Sequence, residues 1–78
     1  MTMDTLRNKL IQAQHAHLKG HVLKHIANVE VLLDRPAGIG EHQDIQEAIE
    51  IELGHIADYE DKLDMLTTYF DMDDDEEM

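Results

Sequence analysis

Two unbroken apolar stripes, separated by a short joint that holds the only proline, constrain this 78-residue chain more than any other feature. In the first stripe Ile11, His15, Leu18, Val22, His25, Val29 and Leu32 step by 4,3,4,3,4,3. In the second, Ile45, Ile49, Glu52, Ile56, Tyr59, Leu63, Leu66 and Phe70 step by 4,3,4,3,4,3,4. That spacing keeps one face of a helix turned toward a partner, and a strand alternation fits neither segment. Arg35 precedes Pro36, which drives it out of the α region, so the first helix ends near Leu33 or Asp34. The reading is an all-α fold in one domain, residues 1–70, with helices over about 4–33 and 41–70 and a loop over 34–40. Thr2 or Asp4 can cap the first helix, and Gly40 the second with Gln43 at its third helical position.

Long helices on a short loop make an antiparallel hairpin. The first helix carries more apolar surface than one partner helix covers, because Leu6, Leu10, Ile26 and Leu33 add to the stripe over about half the circumference. A homodimer of two hairpins, a four-helix bundle, is the economical solution. Its expected core is Ile11, Leu18, Val22, Val29, Ile49, Ile56 and Leu63. A monomeric hairpin is the competing reading, since a core this small supplies at most ~3–5 kcal/mol.

Charge divides along the same lines. Residues 2–33 carry four cations and two acids, whereas residues 41–70 carry nine acids and Lys62 alone. The last eight residues, DMDDDEEM, add six acids and are expected to be disordered, bringing the chain to −12. Such a balance argues against direct binding to nucleic acid or an anionic membrane. No apolar run approaches the ~20 residues of a membrane span, and no signal-peptide core is expected at the N-terminus. The absence of cysteine excludes disulfides and thiolate metal cages, and it fits a cytoplasmic location.

Polar residues interrupt the stripes where chemistry could sit. Glu52 lies between Ile49 and Ile56, so its carboxylate must pair, protonate or reach a core edge. If the chain reverses about Ala37, residues whose numbers add to about 74 are level. Glu52 then lies near His21 and His25, and Tyr59 is level with His15. A buried polar core of His15, His25, Glu52 and Tyr59 follows, either as a site or as a hydrogen-bonded pair that sets register. His17, His21 and His25 form a row at i, i+4 and i+8, a spacing that suits Zn, Ni or Cu. Glu52 and His55 match the Glu-x-x-His spacing of di-metal bundles. A divalent-metal site from His21, His25, Glu52 and His55 is therefore an alternative, although the first helix lacks the inward glutamate such sites use. No nucleophile elbow, phosphate-binding glycine loop or other catalytic constellation is present, so no enzymatic role and no required cofactor are expected.

The stretches RNKLIQAQHAHLKGHVLKHIANVEVLL, GIGEH and IADYEDKLDMLTTYF resemble short hypothetical proteins encoded by tailed myoviruses of marine cyanobacteria. The resemblance covers residues 4–70 and implies a phage-encoded protein made in the host cytoplasm, with no activity to carry over to any residue. The functional expectation is a homodimeric interaction protein that binds a basic host or viral protein. The alternatives are a metal-binding bundle and a nucleic-acid mimic.

Overall fold

The computed structural model describes residues 5–34 and 44–70 as an antiparallel helical hairpin. Helix α1 spans Leu6–Leu33 and α2 spans Ile45–Phe70, about 42 and 39 Å long at the usual rise per residue. Thr5 caps α1 from extended backbone (φ −75°, ψ 166°), its hydroxyl accepting from the Asn8 amide at 3.0 Å. Asp34 closes the other end, its amide donating to the Glu30 carbonyl at 3.0 Å. At the start of α2 the Asp44 carboxylate accepts from the Glu47 amide at 3.2 Å. Arg7 ties the open end of the hairpin, donating to the Phe70 carbonyl at 3.3 Å, where a cation meets the negative end of a helix dipole.

The caps differ from those expected. Thr5 and Asp44 do the work because each offers a side-chain oxygen one residue ahead of its helix. Thr2, Asp4, Gly40, Gln43 and the tail over 71–78 lie outside the described residues. Capped at Asp44, α2 starts one turn later than expected, and the register differs from the expected one as well. The midpoint between Leu33 and Ile45 is residue 39, not residue 37. The numbers of facing residues accordingly add to 77 for His25–Glu52 and Arg7–Phe70, and to 80 for His21–Tyr59 and Asn28–Glu52.

The seam is narrow. Leu18 and Val22 are buried at 4% and 6% exposure, and His25 joins them at 8%. Ile11, Val29, Leu32, Ile45, Ile49, Ile56, Leu63 and Leu66 are half-buried along the same line. The seven side chains expected at a dimer core thus lie on the seam between α1 and α2 of one chain. Large apolar groups remain in water, among them Leu10, Leu23, Val31, Leu33, Ile51 and Leu53, each more than half exposed. Two buried aliphatic side chains remove little apolar surface from water at ~25 cal/mol per Å². Among the described residues no helix is long and apolar enough to cross a membrane.

Candidate functional site

The polar cluster of the seam grows out of two helical rows. On α1, His17, His21 and His25 follow one another at intervals of four and so climb one side of the helix. On α2, Glu52, His55, Tyr59 and Lys62 recur at intervals of three and four and climb the facing side. Antiparallel packing brings the two rows together.

At the loopward end His25 Nδ1 lies 2.5 Å from Glu52 Oε1. The same oxygen accepts from Asn28 Nδ2 at 3.1 Å. These two hydrogen bonds hold the Glu52 carboxyl below its ordinary range; burial opposes them, and the nearby His25 and His55 add to the lowering. An ionised carboxylate can only accept, so His25 carries a proton on Nδ1 and donates it. The expected pairing of Glu52 with an α1 imidazole is present, and His25 is the partner. Asn28 escaped the sequence reading. Its position three residues beyond His25, on the same face, was the available signal.

Beside this pair runs a column of near-parallel rings. His21 stacks on Tyr59 with centroids 4.4 Å apart and planes 7° apart. His55 stacks on His25 at 4.5 Å and 25°. Lys62 places its ammonium 5.0 Å from the centre of the Tyr59 ring while pairing with Asp58 at 3.2 Å. His17 meets His21 edge-on at 4.6 Å. The register shift is what sets Tyr59 against His21 in place of His15. His15, expected in the buried polar core, is instead exposed and lines an open groove with Ile11, Gln12, Ala16, Leu66 and Thr67.

His21 is the member of the column with an unpaired buried nitrogen. Its Nδ1 is buried and has no hydrogen-bond partner among the described residues. Burial lowers the His21 pKa, and His17, Lys24, His25 and Lys62 lower it further by repelling a positive charge. These surroundings disfavour the protonated imidazole.

Of the four candidate metal ligands, Glu52 bonds His25, His55 stacks on His25, and His21 stacks on His25 a turn away with centroids 6.3 Å apart. Among the described residues no three His, Asp or Glu side chains converge as a donor set. A metal takes the in-plane lone pair of an imidazole, but His25 and His55 lie face to face and aim those lone pairs along separate planes. Glu52 meanwhile directs one oxygen to both His25 and Asn28. As arranged, the cluster ties His25 and Asn28 of α1 to Glu52 of α2 and stacks rings across the seam. No family model, curated protein or solved structure matches the chain.

Proposed function

We propose that this chain is a small, non-enzymatic interaction protein that self-associates into a four-helix bundle and presents an acidic surface to a basic partner protein. One observation carries the reading. With two aliphatic side chains buried among the described residues, the hairpin leaves Leu10, Leu23, Ile26, Leu33, Ile51 and Leu53 at 40% to 64% exposure. Isolated helices and small cores are marginal in water, and apolar surface left uncovered on both sides of the seam favours association. The acidic excess of α2 and the tail then acts at longer range, steering a cationic partner and raising its rate of encounter. A phage origin and action in the host cytoplasm belong to the same proposal and rest on the resemblance described above.

Sedimentation equilibrium at micromolar concentration tests the first half: the chain should run at twice its 9.0 kDa mass. A monomer that still melts cooperatively would overturn it. Capture of partners from a host lysate, with full-length chain beside a chain lacking residues 71–78, tests the second. A basic protein held more weakly by the shortened chain and released by salt supports the reading. Competition for that protein by DNA would turn it toward nucleic-acid mimicry.

A further inference from the structure

The hairpin has two broad faces, and they differ in kind. One carries the imidazole column with Lys24, Asn28, Asp58 and Lys62 beside it. The other lies across the seam. At about 100° per residue, Ile26 sits roughly 140° round α1 from His21, and Leu53 roughly 160° round α2 from His55. Ile26 and Leu53 are therefore on the same side, away from the column. Their numbers add to 79, so they are also level. Both are exposed, at 40% and 52%. Toward the open end this face continues into the groove of about 240 Å³ beside Ile11, His15 and Leu66.

We propose that a second copy of this chain covers this face, with the twofold axis running along the helices, so that each α1 lies against its partner's α2. The inference rests on the self-association proposed above and adds the face and the symmetry. Two closed arrangements can bury the face. An axis across the helices sets α1 on α1 and α2 on α2; an axis along them sets α1 on α2 at a common level. Charge chooses between them. Helix α1 carries Arg7, Lys9, Lys19 and Lys24 against Glu30, whereas α2 carries seven acids against Lys62. The crossed arrangement places two acidic helices side by side, and like charges across an interface oppose binding. The aligned arrangement makes every neighbouring pair one basic and one acidic helix.

Local complementarity agrees. Lys19 has no ion-pair partner within its own chain among the described residues, and its level on α2 is that of Glu60. In the aligned dimer Lys19 meets the partner's Glu60, and His15 meets the partner's Asp64.

The absence of native cysteine makes the test clean. Chains carrying Ile26→Cys are mixed with chains carrying Leu53→Cys and oxidised mildly. Lys19→Cys with Glu60→Cys provides a second pair at exposed positions, which leaves the core intact if Ile26→Cys misfolds. Each mixture should give covalent dimer about ten-fold above either variant alone, because disulfides form only across short Cα separations. Ile51→Cys, on the column side, should not cross-link. Self-linking of Ile26→Cys alone, or strong linking through Ile51→Cys, would overturn the geometry. If wild type sediments as a dimer and neither mixture cross-links, this inference fails while self-association stands. If wild type is monomeric, both fail.

Discussion

Two regions of the seam lie one turn apart and are held by different forces. Around Leu18 and Val22 the contact is buried aliphatic surface, a non-directional interaction. Around His25, Glu52 and Asn28 the contact is a carboxylate with two donors, satisfied at a single register. The aliphatic region supplies the favourable burial. The polar region ties His25 and Asn28 of α1 to a single residue of α2, and its net contribution to stability is small compared with the cost of leaving one member unpaired.

The comparison breaks most visibly if a charge enters the aliphatic region. Val22→Asp puts an unpaired carboxylate into the driest part of the seam, a cost on the order of 3–5 kcal/mol. That equals what so small a core can supply, so circular dichroism should show the helical signal largely lost at 25 °C.

A milder test lies one turn away. Glu52→Ala leaves the His25 and Asn28 donors without their acceptor, so melting should fall clearly, though less than for Val22→Asp. Glu52→Gln keeps an acceptor and should fall less. Glu52→Leu should be nearest to wild type or above it, since a packed hydrophobe often replaces an ionic pair without loss. Chelator should change none of these melting curves. If all four proteins melt alike, the polar region sets no register and the contrast between the two regions collapses.

The smallest expected effect is in pH. Glu52 titrates below its ordinary value when folded, so its contribution is present above about pH 4.3 and is lost as pH falls through the folded value. His21 is also depressed when folded, so the unfolded chain takes up the proton first. Stability should therefore be full above about pH 6.5 and decline as pH falls from there. His21→Phe keeps the stack on Tyr59 and removes the titration. Its melting temperature should stay flat between pH 7 and 5.5, where wild type declines. An equal decline in both proteins would assign the acid sensitivity to another group.

Much of this molecule was legible in its residues. The 4,3 spacing of the stripes required two helices, and Pro36 required the first to stop, because helical periodicity and proline sterics act within a few residues along the chain. The same spacing placed Glu52 inside an apolar row and so demanded a partner for it. What the spacing could not supply was the register. The cross-helix pairs have numbers that add to 77 or 80 where about 74 was expected, an offset set by how α2 packs on α1. His15 consequently faces an open groove, His21 takes Tyr59, and Asn28 reaches Glu52. Ring orientation was beyond the sequence for the same reason. Whether four histidines chelate or stack depends on distances between helices, and those arise when the two chains of side chains meet. Helices follow from neighbours in sequence; the pairing of His25 with Glu52, 27 residues apart, follows from packing alone.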